Sequence, residues 1–477
     1  MKTIHIETLG CRLNQIESES MASFFIQKDF LVKMDNVTAS TEQDDKTFLC
    51  IVNTCTVTQK SEQKARRIIR LLLKKYPFAV ILVTGCYAQT NPSQILQIDS
   101  RIAVIGGQIK SRIAKLPDFF VDLFKKNEFE AKKTAEYINQ TYSKQEESKY
   151  PVAEDAFKLS TTSFLAHSRA AIKIQDGCNN NCSYCAIHIA RGKSVSLEAS
   201  EVIKRVQKLE EEGHEEVVLT SINIGQYKSE YKNSSVNFAR LLQLLLENTS
   251  KINFRISSLY PEVVTEEFCQ IIKSTRIRPH FHLSVQSGSD KILREMNRVY
   301  KSEQVKKACD LLRIAKEKPF IACDIITGFP GETDDDFDQT IKLCEYCNFS
   351  WIHAFPFSER PGTPAATMKN KVPQSISGKR AEELNKIAIN SKINFIDYWK
   401  NKKLTAILET SKNTFTIQNQ KKIYTYHAVT ENFIHCQIQT EKELSELERK
   451  SINIKITNSL PEKIQKGGEI EASAELI

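Results

Sequence analysis

Apolar positions fall into three successive patterns along the chain. In the first, short apolar runs alternate with segments of helical period. Thr3–Thr8 reads as a strand before a helix over 15–27, 48–52 as a strand before a helix over 59–75, and 79–83 as a strand before a helix opening at Pro92. A fourth strand, 102–105, stops at Gly106-Gly107. Strand and helix alternating at this period build a doubly wound parallel α/β sheet, assigned to residues 1–125. Residues 126–162 turn polar, rich in Lys, Glu, Gln and Ser with Pro151 near the end, and read as a linker with some helical character.

The second pattern covers residues 163–398, with strands at 170–175, 216–221, 252–257, 281–286, 320–326 and 351–356 and amphipathic helices between them. Six strand–helix repeats predict a partial (β/α)6 barrel, whose sites lie at the carboxyl mouth of the strands. After a polar helix over 375–398 the period drops to two. Runs at 404–409, 414–417, 424–429, 433–438 and 451–457 predict a small antiparallel β-barrel in residues 399–477.

Composition changes this picture little. Of 477 residues, 41% are hydrophobic and 26% charged, the balance of a soluble globular chain. No apolar run is long enough to span a bilayer. The opening Met1-Lys2-Thr3-Ile4-His5-Ile6-Glu7 reads as a strand without a signal-peptide core, so the expected location is the cytoplasm. In that reducing compartment the 13 cysteines are read as ligands or core residues rather than disulfides. The formal net charge of +9 mildly favours a polyanionic partner.

The chemistry lies in the cysteines. After the first barrel strand comes Asp176-Gly177-Cys178-Asn179-Asn180-Asn181-Cys182-Ser183-Tyr184-Cys185, three thiols among residues that favour turns. Three thiolates and inward amides suit an iron–sulfur cluster with one iron left open to a ligand. Zinc, with His188 as a further ligand, and buried structural cysteines remain alternative readings. Cys11, Cys55 and Cys86 each come directly after a strand, in Thr8-Leu9-Gly10-Cys11, Val52-Asn53-Thr54-Cys55 and Val83-Thr84-Gly85-Cys86. Strand ends of a parallel sheet share one carboxyl edge, where ligands bind, so these thiols can converge on a second cluster. Any one of them alone could equally be a buried structural cysteine. Cys50, Cys269, Cys309, Cys323, Cys344 and Cys347 are read as core, and His167 and His188 as structural. The helix over 59–75 carries Lys60, Lys64, Arg66, Arg67, Arg70, Lys74 and Lys75 against Glu62, either as a solvated face or as a docking edge for an RNA backbone.

The triplet Cys178, Cys182, Cys185 resembles the radical S-adenosylmethionine (SAM) superfamily, and Tyr184 matches its usual aromatic before the last cysteine. The resemblance implies that the open iron binds the amino and carboxylate groups of SAM. It also makes Tyr184, Asn223, Ser257, Gln286 and Asp324, at or near the ends of barrel strands, the expected cofactor contacts as a group. Thr8-Leu9-Gly10-Cys11-x2-Asn14-Gln15, Asn53-Thr54-Cys55-Thr56-Val57-Thr58 and Thr84-Gly85-Cys86-Tyr87-Ala88-Gln89 look like the N-terminal domain of the radical-SAM methylthiotransferases, and the likeness spans nearly the whole chain.

Membership in that family implies SAM and two [4Fe–4S] clusters, with all six cysteines catalytic. The cluster of Cys178, Cys182 and Cys185 would split SAM to a 5′-deoxyadenosyl radical that abstracts hydrogen from the target carbon. The cluster of Cys11, Cys55 and Cys86 would present sulfur, a second SAM would give the methyl group, and a donor such as flavodoxin or ferredoxin would supply electrons. The last barrel resembles in position the TRAM RNA-binding module, though the module's usual glycines are scarce. Lys400, Lys402, Lys403, Lys421 and Lys422 would then meet the RNA backbone, with Tyr424 and Tyr426 stacking. The cysteine segments and Phe355-Pro356-Phe357-Ser358-x-Arg360-Pro361-Gly362-Thr363-Pro364-Ala365 look most like the subfamily acting on N6-threonylcarbamoyladenosine at position 37 of tRNA. Isopentenyladenosine-37 of tRNA and a ribosomal-protein aspartate are the alternatives within the family. A two-cluster redox or RNA-binding module without turnover is the alternative outside it.

Overall fold

A computed structural model of the chain describes residues 2–144, 152–162, 164, 167–410, 414–418 and 421–477, so 145–151 of the expected linker lie outside the described residues. The first sheet has five parallel strands in the order Leu31–Lys33, Thr3–Thr8, Thr47–Thr54, Val80–Gly85, Ile102–Gly106. The added edge strand is three residues long with none buried, which leaves no periodicity to read. Thr47–Thr54 and Val80–Gly85 carry continuous apolar runs because both faces of the sheet are covered. Phe25, Phe48 and Phe120 pack on one side, and Ile69, Leu72 and Tyr87 on the other.

The helix Ala131–Thr141 belongs to this domain and corrects the linker reading. Ala135 and Ile138 are buried in the same core as Phe120. Asn139 accepts from Val104 N at 2.9 Å and donates to Ile102 O at 3.0 Å, covering the open edge of the sheet. Two apolar residues in a polar segment are a weak amphipathic signal; the sheet edge they cover is invisible in sequence.

Six parallel strands form the central unit as two sheets of three: Asn253–Ile256, Glu216–Thr220 and Ala170–Lys173, then His280–Gln286, Phe320–Thr327 and Trp351–Pro356. A parallel bridge from Leu259 to Leu283 joins them, and no ladder links Ala170–Lys173 to Trp351–Pro356 among the described residues. This is the expected partial barrel. Its open side is covered by the helix Arg12–Ile26 of the first domain, whose Ile16 packs on Ala171 and Val218. The last domain covers the opposite end from the mouth, where Phe433 lies 4.1 Å from the His280 ring and 5.3 Å from the Arg255 guanidinium.

In that last domain Lys403–Leu408 pairs with both Ser451–Ser459 and Lys421–Thr430, closing a barrel. The expectation of an all-antiparallel barrel needs one correction: His435–Thr440 runs parallel to Ala472–Leu476. That strand buries only Ala472 and Ala474, residues too small to stand out as an apolar pattern. Tyr426 is also corrected from a stacking residue to a core residue, 2% exposed, with its hydroxyl accepting from Leu444 N at 2.8 Å. Tyr424 remains half-exposed beneath Lys422, 4.6 Å from its ring.

At the foot of the barrel Glu216 is buried between Arg255 at 2.7 Å and Arg278 at 2.8 Å. Burial would raise its pKa, but the two guanidinium groups bring it down from 4.5 to about 2. A depressed folded pKa means the stabilisation is complete above the unfolded value and is lost as pH falls through the folded one. Glu216→Gln should therefore cost about 3–5 kcal/mol at neutral pH by leaving two buried cations short of an anion. It should also flatten the loss of stability between pH 4.5 and about 2. An acid-unfolding curve identical to wild type by circular dichroism would contradict this.

Candidate active site

The cysteine loop leaves Ala170–Lys173 through a turn that only glycine allows. Gly177 has φ +70°, and a Cβ there would sit 2.0 Å from Lys193 O. The asparagines then shape the loop. Asn179 accepts from Ser194 N at 2.9 Å, Asn180 accepts from Gln226 Nε2 at 2.8 Å, and Asn181 O accepts from Asn297 Nδ2 at 2.9 Å. Three donors point at sulfur: Asn180 N at 3.4 Å and Asn223 Nδ2 at 3.8 Å from Cys178 Sγ, and Arg298 Nη1 at 3.3 Å from Cys182 Sγ. Burial pushes the Cys185 thiol up to about 12, and Cys182 and Cys178 add to the rise, which places the three together.

Nothing in the sequence around Arg298 marks it as a site residue. It follows the helix Asp290–Glu295 in an unremarkable charged segment, and only folding lays it over Tyr260 and Tyr300, at 4.4 and 4.8 Å, beside Cys182. The expected cofactor contacts divide. Asn223 adjoins Cys178, Ser257 Oγ lies 3.5 Å from Ser221 Oγ, and Gln286 ends its strand with φ 71°. Tyr184 packs half-buried against Phe329 and Phe357. Asp324 is not at the strand end: it pairs with His353 within a strand that runs on to Thr327, and its Oδ1 lies 3.1 Å from His282 Nε2.

The second thiol set lies at the carboxyl edge of the first sheet. Gly10, with φ +105°, lets two strand ends meet, since a Cβ there would come 2.6 Å from Cys55 Cβ. Asn14 Nδ2 bridges the same ends by donating to Leu9 O at 2.8 Å and Thr54 O at 3.0 Å. Cys11 is exposed, whereas Cys55 and Cys86 are buried, and Cys86 opens the helix Cys86–Thr90 rather than a loop. Burial first, then Cys86 and Cys11, push the Cys55 thiol up to about 12. Burial also raises Cys86, against the pull of Arg191 and Lys110.

Between the two sets lies a buried ion network. Glu17 meets Lys173 at 2.9 Å, Arg191 at 3.3 Å and Lys110. Asp176 meets Lys173 at 2.8 Å and Arg191 at 2.9 Å, and Arg191 Nη2 donates to Asn14 Oδ1 at 2.7 Å. Burial alone would raise Glu17, but Lys110, Lys173 and Arg191 hold it well below the usual carboxylate range. Glu17 and Asn14 share the helix that begins after Cys11, while Asp176 and Arg191 flank the other cysteine loop.

Each set has the chemistry of a cluster cradle: three thiols with N–H donors or cations beside them. Among the described residues no three or more His, Cys, Asp or Glu groups surround a single-ion position; a cluster instead takes each thiolate on a separate iron. His188 is half-buried with Nδ1 unpartnered, and burial lowers its pKa. His167 pairs with Glu19 at 2.7 Å.

Fold and cysteine loop together define a radical-SAM enzyme, one that uses SAM and a [4Fe–4S] cluster. Residues 172–344 match the Radical SAM superfamily, and residues 3–107 match Uncharacterized protein family UPF0004. Over 451 residues the chain is 43% identical to threonylcarbamoyladenosine tRNA methylthiotransferase MtaB of Treponema pallidum, covering 86% of this chain and 92% of that protein. The MtaB of Thermotoga maritima is 34% identical over 397 residues, 83% of this chain and 84% of its own. A tRNA-2-methylthio-N(6)-dimethylallyladenosine synthase of Chromobacterium violaceum is 30% identical over 392 residues, 81% and 83%. The chain belongs to the radical-SAM tRNA methylthiotransferase family. No helix among the described residues is long and apolar enough to cross a membrane.

Glu17→Gln removes the anion that three buried cations share. It should lower the unfolding free energy by about 3–5 kcal/mol, measured by denaturant titration. A change under about 1 kcal/mol would mean that the network is not what joins the domains.

Proposed function

We propose that the protein methylthiolates C2 of N6-threonylcarbamoyladenosine at position 37, in the anticodon loop of tRNA. The observation that carries this reading is the pair of three-thiol sets on either side of one buried ion network. In it, Cys178, Cys182 and Cys185 hold one [4Fe–4S] cluster and Cys11, Cys55 and Cys86 a second. Tyr184, Asn223, Ser257 and Gln286 serve as contacts for SAM, whereas Asp324 is engaged with His282 inside its strand. When bound, the clusters and SAM supply the electron, the radical and the sulfur.

The chain's own residues position and shield. Asn180, Asn223 and Arg298 aim N–H groups at Cys178 and Cys182, favouring negative charge on sulfur. Arg191 and Lys110 place positive charge beside Cys86. The helix Arg12–Ile26 keeps water from the open side of the barrel, and the last domain keeps it from the foot. The work divides among residues 1–125, which present sulfur, 163–398, which generate the radical, and 399–477, a TRAM-like module that grips RNA. Such an enzyme works in the cytoplasm with an external electron donor such as flavodoxin or ferredoxin.

The threonylcarbamoyl substrate is supported by the names of the relatives at 43% and 34% identity, against 30% for the dimethylallyl type. For the RNA backbone we assign the helix Gln59–Lys75. Lys60, Lys64, Arg67, Arg70 and Lys74 are exposed along one face, at spacings of three and four, and the helix's buried residues lie on the other. Glu62 does not offset them, because it turns inward to Arg360 at 2.7 Å.

Nucleoside mass spectrometry of tRNA from a deletion strain should show the loss of methylthio-threonylcarbamoyladenosine and its return on complementation. An unchanged level contradicts the substrate. Loss of methylthio-isopentenyladenosine, or of ribosomal methylthio-aspartate, would move it to those targets. Replacing Lys64, Arg67 and Lys74 by Gln should weaken anticodon stem–loop binding and reduce the slope of log K against log salt by roughly 0.7–0.9 for each phosphate no longer neutralised. An unchanged slope would return the ridge to a solvated face.

A further inference from the structure

The buried ion network is not the sole tie between the first domain and the barrel. The segment 357–365 follows the last barrel strand and runs between the two cysteine sets. Its ends are fixed on the barrel's cysteine loop. Phe357 and Ala365 are buried in one small core against which Tyr184 packs, and Ala365 N donates to Ser183 O at 2.8 Å. A Cβ on Gly362 would lie 3.2 Å from Ile189 Cδ1, so the segment also lies against the short helix Ile187–Arg191 that follows Cys185.

Its middle reaches the other set. Ser358 Oγ accepts from Gln59 N at 3.2 Å, at the start of the helix Gln59–Lys75. Arg360 Nη2 donates to Glu62 Oε1 at 2.7 Å, and the same oxygen accepts from Thr56 Oγ1 at 2.5 Å. Thr56 directly follows Cys55. Arg360 is 4% exposed and Thr56 2%, so these bonds form out of water, where they are stronger. Arg360 Nε and Nη1 have no partner among the described residues, which leaves Glu62 as the carboxylate that fixes the guanidinium. Thr363 Oγ1 donates to Arg360 O at 2.7 Å and braces the segment from within.

A path through Thr56, Glu62 and Arg360 therefore connects Cys55 to the loop of Cys182 and Cys185, by a route that uses neither Glu17 nor Arg191. Transfer between groups held on two domains demands that those groups stay in register, since a misplacement of about 1 Å costs on the order of a hundredfold in rate. We infer that Arg360 is a positioning residue: held by Glu62, it fixes the Cys55 loop against the Cys178, Cys182 and Cys185 loop, and so couples sulfur transfer to SAM cleavage. This role rests on the two-cluster reading and deepens it. Arg360 acts through Glu62 and Thr56 rather than on a thiol, so without it SAM should still be cleaved, but without product.

The test loads wild type and variants with clusters, counts iron, and incubates them with tRNA from a deletion strain. Two products are quantified, 5′-deoxyadenosine for SAM cleavage and the methylthio-nucleoside for transfer. Arg360→Gln should keep about eight irons and form 5′-deoxyadenosine within about twofold of wild type, while methylthio-nucleoside per 5′-deoxyadenosine falls about ten- to hundredfold. Glu62→Gln removes the charge from the other side of the contact and should uncouple in the same way, which keeps the test open if Arg360→Gln does not fold. The double variant should be no worse than either single one, and Arg360→Lys, which keeps the charge, should recover part of the ratio. An unchanged ratio overturns the positioning role. So does a parallel loss of both products, which marks a merely structural part, a double variant whose losses multiply, or a Lys variant no better than Gln. Wild type with about four irons contradicts the two-cluster reading itself, whereas about eight irons with an unchanged ratio in the variants sinks the role of Arg360 alone.

Discussion

Glu17, Asp176, Lys110, Lys173 and Arg191 are buried where the first domain meets the barrel, and the rest of the site depends on their pairing. Charges out of water persist only when matched in number and geometry. Here two carboxylates bridge three cations, and Arg191 uses its second nitrogen on Asn14. Asn14 in turn ties two strand ends of the first sheet. The loop after the first barrel strand and the carboxyl edge of the first sheet are thus parts of one rigid frame. Either cysteine set could move relative to the other only by exposing or separating these charges.

The frame also explains why the site belongs to no single domain. A barrel of six strands lacks a side, and Ile16 of the first domain fills part of it. The foot is held by Phe433 and by Arg255, which donates to Thr430 O at 3.2 Å. The first domain and the last thus each cover a part of the barrel that the barrel leaves open.

Much of this was legible in the chain. Strand–helix alternation and the position of Cys11, Cys55 and Cys86 after strands anticipated the sheet edge, because burial on both faces leaves continuous apolar runs. The cysteine loop was legible from its spacing and its Asn run. What escaped was set by tertiary contact. Leu31–Lys33 and Ala472–Leu476 are strands only because a neighbour pairs with them. Ala131–Thr141 looked like a linker until a sheet edge gave Asn139 partners. Glu17, Arg191 and Arg298 are ordinary charged residues in sequence; burial and convergence from distant segments give them meaning. Tyr426 failed in the other direction, an aromatic on a strand whose face could not be assigned without the barrel's register.

The claim most open to direct test is that the two thiol sets hold separate clusters. Iron and sulfide analysis of anaerobically reconstituted protein, with Mössbauer spectra, should give about eight irons per chain as two [4Fe–4S] clusters. Replacing either Cys11, Cys55 and Cys86 or Cys178, Cys182 and Cys185 by Ala should leave about four. About four irons in the wild type, or zinc in place of iron, would contradict the account.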